Sequence, residues 1–166
     1  MRLLPSLALL LTSGIVGCGL PLLTPRPVAV RPLPVRSVLP EQIQSISQVH
    51  TQCFGTCPAF AVTLHRDGAA TYFGEAHVEI LGHYTGTVDP MTFERLAKHL
   101  VREGFFRLAP YYEQPVTDQE STITTAVLEG DSVVVTRYGD AGPAELREIE
   151  DAIDSVSARI RWTSRP

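Results

Sequence analysis

The sequence has few of the features that identify an enzyme or a nucleic-acid-binding protein. It contains a single lysine against thirteen arginines, and its formal net charge is −4 with an isoelectric point near 5.7. A nucleic-acid-binding protein needs a basic face, which this balance disfavours. The sequence has no Ser-His-Asp order, no Gly-x-Ser-x-Gly motif and no glycine-rich phosphate loop. These absences favour a protein that is not an enzyme, needs no cofactor and does not bind nucleic acid.

Long apolar runs are also missing. A membrane-spanning helix needs about 20 consecutive apolar residues, and the sequence has no such stretch. Hydrophobic residues make up 44% of the 166 residues, which is enough for one folded domain with additional segments.

The N-terminus is typical of a secreted protein. Residues 1–17 carry one positive charge, a short apolar segment and small residues at its end, as a signal peptide does. The residues Ile15-Val16-Gly17-Cys18 resemble the lipobox of bacterial lipoproteins, which implies cleavage before Cys18 and its acylation, including palmitate. Several acyl chains anchor a protein firmly. The alternative is a buried N-terminal helix with an incidental cysteine.

Residue 19 is Gly and not Asp, which in Gram-negative lipoproteins resembles the pattern passed on to the outer membrane. We therefore expect a lipid-anchored protein of the cell envelope that faces the periplasm or the exterior. Residues 18–40 hold six prolines and three arginines, a composition that favours an extended tether. The tether is a spacer in the simpler interpretation, and its arginines contact anionic lipid in the alternative.

Residues 41–166 are predicted to form one α+β domain, a two-layer sandwich with two amphipathic helices on one face of an antiparallel sheet of about five strands. The strand patterns cover 59–66, 69–75, 77–88, 123–128 and 132–138, with a weaker one at 43–50. The first helix begins at Asp89-Pro90 and ends at Gly104. The last begins at Pro143 and repeats apolar residues through Ile160.

The hairpin at Asp67-Gly68 allows two registers. A two-residue loop places Phe73 on the same face as Phe60, whereas a three-residue loop with Gly68 in a left-handed bulge places Tyr72 there. Periodicity does not distinguish them. In the strand pattern 77–88, Gly82 and Gly86 leave room for a large group on one face.

Cys53 and Cys57 carry the most specific local pattern. With Cys18 acylated, an even pair remains in an oxidising compartment, so a disulfide is expected. A redox-active pair is the second interpretation, although the Cys-x-x-Cys spacing of such sites is missing. A metal site would use His50 with both cysteines and would still need a fourth ligand.

The domain resembles an uncharacterised bacterial family of domains of unknown function, number 6438, over roughly residues 46–160. The resemblance begins with Cys-Phe-Gly-Thr-Cys-Pro-Ala-Phe at 53–60, its most specific motif. It continues at Asp67-Gly68, Tyr72-Phe73-Gly74, Gly82, Phe105-Phe106, Val116-Thr117-Asp118, Tyr138-Gly139, Leu146, Glu150 and Ile153-Asp154. It implies a small envelope domain, often on a lipoprotein, and transfers no catalytic role.

Three further groups of residues are candidates for a site. If 77–88 is one strand, alternation places His77, Glu79 and His83 on one face, as weak metal ligands or as an ordinary solvated face. The loop 107–120 offers Tyr111, Tyr112, Thr117 and Asp118 as a binding surface, or else Tyr111 packs on the sheet edge and Asp118 caps a turn.

The remaining candidates are acidic. Asp118 with Glu120 is a weak carboxylate pair for acid–base chemistry. The acidic side chains of the last helix are expected to form a solvated face; they are Glu145, Glu148, Glu150, Asp151 and Asp154. From these patterns we expect a non-catalytic binding module whose partner is an unidentified envelope protein or ligand. A thiol-redox or metal-binding protein and a structural envelope component are the alternatives.

Overall fold

A computed structural model describes residues 37–164. The predicted signal peptide at 1–17, the predicted lipidation site Cys18 and the predicted tether up to residue 36 lie outside the described residues. Within 37–164, no helix is both long and apolar enough to cross a membrane.

The fold is α+β, as predicted, and it is built on one sheet of eight strands. The strands are β1 Ile43–His50, β2 Ala59–His65, β3 Ala69–Ala76, β4 Gly82–Thr87, β5 Tyr111–Tyr112, β6 Ser121–Leu128, β7 Asp131–Tyr138 and β8 Thr163–Ser164. Their order across the sheet is β5-β7-β6-β1-β2-β3-β4-β8. All neighbours are antiparallel except β5 and β7, which are parallel.

The prediction of about five antiparallel strands was therefore wrong. The two outermost strands, β5 and β8, have two residues each and are too short to show any alternation of polar and apolar residues. The weak pattern at 43–50 is a full central strand, β1, because it pairs with β2 on one side and β6 on the other.

Alternate residues of the central strands face one core. Ile46 of β1 pairs with Leu64 of β2 and with Ala126 of β6, and all three are fully buried. Residues of the opposite parity remain partly open to solvent, such as Phe73 at 38% and Val134 at 43%. Burial on one face makes the register specific, because a slip of one residue would expose the whole apolar set.

Both helices contribute to this core. Helix α1 spans Pro90–Arg102, where the Asp89 carboxylate accepts a hydrogen bond from the Thr92 backbone N–H. Gly104 ends the helix region with a φ of 78°. Helix α2 spans Ala144–Ser157. The buried apolar side chains of the two helices are Phe93, Leu96, Ala97, Leu100, Leu146, Ile149, Ile153 and Val156.

Core contacts begin at Val38, which is buried with the helices and the sheet. Two short 3₁₀ turns follow, at Pro40–Gln42 and at Phe105–Arg107. Phe105 is fully buried, and Phe106 packs against the core edge-on to it.

The structure decides the register of the β2–β3 hairpin in favour of the three-residue loop. Val62 pairs with Tyr72 and Leu64 with Ala70, while Gly68 has a φ of 94°. Tyr72 consequently lies on the buried face, where only 9% of it is exposed.

The prediction of a continuous strand over 77–88 was wrong. Strand β4 begins at Gly82, and the four residues before Leu81 form a bend in which His77 has a φ of 55°. This bend lies against Gly74, where an added Cβ would overlap the backbone carbonyl of Ile80. The predicted space beside β4 exists at Gly86, which lies under Ile160 and Trp162, whereas Gly82 has nothing within 4 Å.

We predict that Gly74→Ala destabilises the domain by about 1–3 kcal/mol, because the methyl group would force the Ile80 carbonyl away from β3. Urea denaturation measures the free energy of unfolding. The matched control is Gly55→Ala, where the new Cβ would meet only the Cys53 sulfur at 3.6 Å. The control should stay within about 0.5 kcal/mol of the wild type. Equal effects of the two substitutions would contradict the close approach at Gly74.

Candidate functional site

A row of aromatic rings crosses the buried face of the sheet near the end that carries the 51–58 loop. The His50 and Phe60 rings stack with centroids 4.5 Å apart, and the Phe60 and Tyr72 rings with centroids 5.6 Å apart. Tyr72 also meets the indole ring of Trp162 at 5.4 Å. The row forms because these residues lie on the same face of β1, β2 and β3, and because Gly74, opposite Phe60, has no side chain.

A cavity of about 380 Å³ lies over this row. Its apolar walls are Phe60, Tyr72, Ile80 and Trp162. Glu79 from the bend before β4 and Asp154 from α2 add two carboxylates, and Ser157 and Ala158 supply the end of α2. A cavity with mostly apolar walls and a few convergent polar groups is the usual form of a ligand site.

A buried ion pair involves Glu150, one helical turn before Asp154 on α2. The Arg137 Nε donates to Glu150 Oε2 at 2.6 Å, and the two side chains are only 12% and 4% exposed. Arg137 also donates to the Thr122 hydroxyl at 3.0 Å and to the Gly139 carbonyl. Burial raises the pKa of Glu150, and Arg137 opposes this rise only in part.

His50 lies next to two residues of the cavity, Phe60 and Asp154. Its Nε2 atom lies 2.7 Å from Gln48 Nε2 and 3.4 Å from Asp154 Oδ1, while Nδ1 lies 4.0 Å from Glu120 Oε1. The Gln48 amide and the His50 ring form a hydrogen bond whose direction depends on the tautomer of His50. The Asp154 Oδ1 atom is buried beside this ring and makes no hydrogen bond to the described part of the chain.

Cys53 and Cys57 form a disulfide, as expected for the pair that remains when Cys18 is acylated. The loop that they close is joined to the 113–120 segment, because the Phe54 backbone N–H donates to the Asp118 carbonyl at 3.2 Å. The Phe54 side chain is 89% exposed at the tip of this loop. His50, the proposed third metal ligand, contacts Gln48 instead.

The three candidate ligands near β4 do not come together. His77 lies in the bend, Glu79 borders the cavity, and His83 on β4 packs its ring against Phe73 at 4.5 Å. Within 37–164, the structure holds no group of three or more histidine, cysteine or acidic side chains placed to bind a metal ion.

The candidate binding loop 107–120 is divided between two places. Tyr111 and Tyr112 form β5 at the edge of the sheet, and the Tyr112 hydroxyl accepts a hydrogen bond from the Ala109 backbone. Thr117 and Asp118 lie beside the disulfide loop, where the Thr117 hydroxyl donates to the Asp118 carboxylate at 3.0 Å. Asp118 has a φ of 66°.

A second groove, between α1 and α2, has the opposite electrostatic character. Its volume is about 360 Å³, and Arg95, His99 and Arg159 line it together with hydroxyl groups. Each arginine donates to a hydroxyl group of the nearest helix, Arg95 to Thr92 of α1 and Arg159, just after α2, to Ser155.

Residues 44–157 match the family described as a domain of unknown function, DUF6438. The chain belongs to this family. The match runs from β1 to the last residue of α2, so it includes the disulfide loop, the ion pair and most of the cavity of this DUF6438 domain, while Trp162 lies beyond it. No curated protein matches the chain.

Two predictions about charge in the DUF6438 domain need correction. Glu145, Glu148 and Asp151 are exposed on α2 as expected, but Glu150 is 3% exposed and Asp154 is half-buried. Glu150 and Asp154 are wholly or partly buried because they are one helical turn apart on the side of α2 that faces the sheet, where they lie near Arg137 and His50.

Sequence reasoning missed the ion pair, although a signal was present. Arg137 has the same parity as Val133 and Val135, and Glu150 falls within the apolar stripe of Leu146, Ile149 and Ile153. When each of two separate apolar patterns has a charged residue at a buried position, and the two charges are opposite, the residues are expected to form a buried pair.

We predict that Arg137→Met costs about 3–5 kcal/mol at neutral pH, because it leaves the Glu150 carboxylate buried without its partner. The pKa of Glu150 should rise further. The carboxyl of Glu150 then has a higher pKa in the folded state than in the unfolded state, so its ionisation lowers the stability of the fold. This loss is largest above the raised pKa. Stability should return as the pH falls through the raised pKa toward the ordinary range of glutamate.

Urea denaturation at neutral and mildly acidic pH tests this prediction. Adding Glu150→Gln to Arg137→Met should restore stability at neutral pH and reduce the pH dependence. The control is Arg161→Met, an exposed arginine whose loss should change little. An equal loss of stability at both pH values in Arg137→Met would contradict the role of the Glu150 charge.

Proposed function

We propose that this protein is a lipid-anchored binding module of the bacterial cell envelope, which holds a ligand or partner and has no chemistry of its own. The observation that supports this function most is the cavity formed by Phe60, Tyr72, Ile80 and Trp162 with Asp154 at its border. Its walls come from the sheet, a bend and the end of α2.

The walls of the cavity are preorganised. Tyr72 is buried between Phe60 and Trp162, and the bend at Ile80 lies directly against Gly74. A site whose walls are ordered before the ligand arrives loses less entropy on binding. The exposed ring of Phe54 lies at the same end of the sheet and gives a partner a second contact.

The anchor follows from the N-terminal sequence. Cleavage before Cys18 and acylation of that cysteine would attach the domain to the outer membrane. The part of the tether outside the described residues, 18–36, extended at about 3.1 Å per residue, would hold the domain up to about 60 Å from the surface. The folded part would then meet large envelope components as well as small ligands.

The proposal includes the two-layer arrangement, with both helices over the same face of the sheet. The burial pattern supports it, since inward residues such as Ile46 and Val62 share one core with Leu100 and Ile149 of the helices. The end of α2 then borders the cavity.

We predict that closing the cavity abolishes partner binding. Ala158→Phe places a large ring at the cavity border, on an exposed position at the end of α2. Ala144→Phe makes the same change on an exposed position at the start of α2 and is the control. Full-length proteins are purified from the native envelope in mild detergent, and co-purifying components are compared by mass spectrometry.

Components kept by the wild type and by Ala144→Phe should be lost from Ala158→Phe. If the three proteins retain the same components, or retain none, the cavity is not the binding site. Circular dichroism and unfolding curves establish that both variants are folded.

The alternative functions differ in the state of the sulfur atoms. We predict that the intact mass of the mature protein corresponds to loss of residues 1–17, addition of acyl groups at Cys18 and a closed Cys53–Cys57 bond. Replacing both paired cysteines by serine should cost about 2 kcal/mol, as expected for so short a loop, and should leave partner binding intact.

A bond that opens readily in mild reductant, or bound metal found by elemental analysis, would favour a thiol-redox or metal-binding protein instead. An uncleaved chain without acyl groups would contradict the anchor. A structural envelope component would show the same mass and bind nothing at the cavity.

A further inference from the structure

We propose that the cavity takes an organic cation, an alkylammonium group. This inference rests on the proposed binding function and specifies its chemistry. Three features of the cavity favour a positive charge, namely its aromatic walls, the carboxylates at its border and the end of a helix.

The aromatic walls are the first feature. Phe60 of β2, Tyr72 of β3 and Trp162, just before β8, line the cavity. The ring centroids of Phe60 and Tyr72 lie 5.6 Å apart and those of Tyr72 and Trp162 lie 5.4 Å apart. The face of an aromatic ring is negative, so it attracts an ammonium group placed over it. Aromatic walls combined with acidic groups are suited to alkylammonium ligands, since the rings contact the carbon atoms and the charge together.

The carboxylate of Asp154 is the second feature. Asp154 borders the cavity with a side chain that is 39% exposed, so its charge is available to a ligand there. Its Oδ1 atom is buried beside His50 Nε2 at 3.4 Å, so a ligand in the cavity would meet the rest of the carboxylate. A carboxylate at the border of an apolar cavity attracts a positive charge more strongly than one in bulk water. Glu79 supplies a second carboxylate at the border of the same cavity.

The end of α2 is the third feature. Ser157 and Ala158 line the cavity, and the last turn of this helix contains no basic residue. The C-terminal end of a helix carries a partial negative charge that favours cations. Among the described residues, no lysine or arginine lines the cavity, and Arg159 faces the groove between the helices instead.

An inorganic cation fits the cavity less well than an organic one. A metal ion needs several oxygen or nitrogen ligands at short distances, and residues 37–164 contain no cluster of three such side chains. Ring faces replace water around an alkylammonium group, but they do not replace the inner ligands of a divalent ion.

Trp162 allows a direct test, because it is the only tryptophan of the chain and lies in the cavity wall. The mature full-length protein is held in maltoside micelles, since detergents with choline headgroups would compete. Choline is titrated while tryptophan fluorescence is followed. The matched probe is neohexyl alcohol, which has the shape of choline with carbon in place of the charged nitrogen.

Choline should change the fluorescence with saturation, and neohexyl alcohol should bind at least about tenfold more weakly. Equal affinity of the two probes, or no response to choline at any concentration, would overturn the inference. Butylammonium is the second cationic probe. A preference for it indicates a primary amine such as a lysine side chain, and a preference for choline indicates a quaternary headgroup; either preference supports the proposal.

Asp154→Asn should weaken choline binding about tenfold, because it removes the negative charge that attracts the ammonium group. The control is Asp151→Asn, which removes an equal charge from an exposed position of the same helix outside the cavity. Equal weakening by both variants would show a general effect of net charge and overturn the specific role of Asp154. Unfolding curves show that both variants are folded.

The two proposals fail in different ways. If Ala158→Phe loses a native component while choline and neohexyl alcohol bind equally or not at all, the cavity is a binding site and its cationic specificity is wrong. If choline binds but Ala158→Phe keeps every native component, the cation site exists and the proposed function of the cavity is wrong.

Discussion

The buried contact between Arg137 and Glu150 determines where α2 lies over the sheet. Both side chains are nearly inaccessible, so neither charge has water to replace its partner. Arg137 is held in turn by Thr122 and by the Gly139 carbonyl, which places its guanidinium at the polar end of β6 and β7. A shift of α2 along the sheet would separate the pair and leave a buried charge on each element. The apolar stripe of the helix allows sliding far more readily than this contact does.

The position of the cavity depends on this placement. Asp154 follows Glu150 by one helical turn, so it lies next to His50 once Glu150 has reached Arg137. Ser157 and Ala158 then border the aromatic row, and the chain beyond α2 carries Trp162 over Gly86. Of the two carboxylates on the inward side of α2, Glu150 is therefore buried in the ion pair with Arg137, whereas Asp154 is partly accessible from the cavity. The disulfide loop lies at the same end of the sheet but outside the cavity lining, which suits a role in shaping that end.

Much of the fold was predictable from the sequence because it depends on local signals. Asp89, Pro90 and Gly104 mark the limits of α1, and the turns at Gly68 and Gly130 mark two hairpins. Other features depend on distant contacts. The two-residue strands β5 and β8 exist only because longer strands offer them free edges. The bend after β3 replaces a predicted strand because Ile80 folds back against Gly74, a contact that no alternation pattern records.

The α+β class of the domain, its two helices, the Cys53–Cys57 pairing and the resemblance to the DUF6438 family could all be recognised from the order of the residues. The class and the helices follow from periodicity and capping residues. The pairing was expected because two cysteines remain once Cys18 is assigned to acylation, and the resemblance rests on the motif at 53–60 and the turn and core residues after it. The folded chain was needed to show that Tyr72 and not Phe73 faces the core, and that Phe60 and Trp162 meet around one cavity with Asp154. These residues are far apart along the chain, and they become neighbours only when the sheet has its register and α2 has its partner in Arg137.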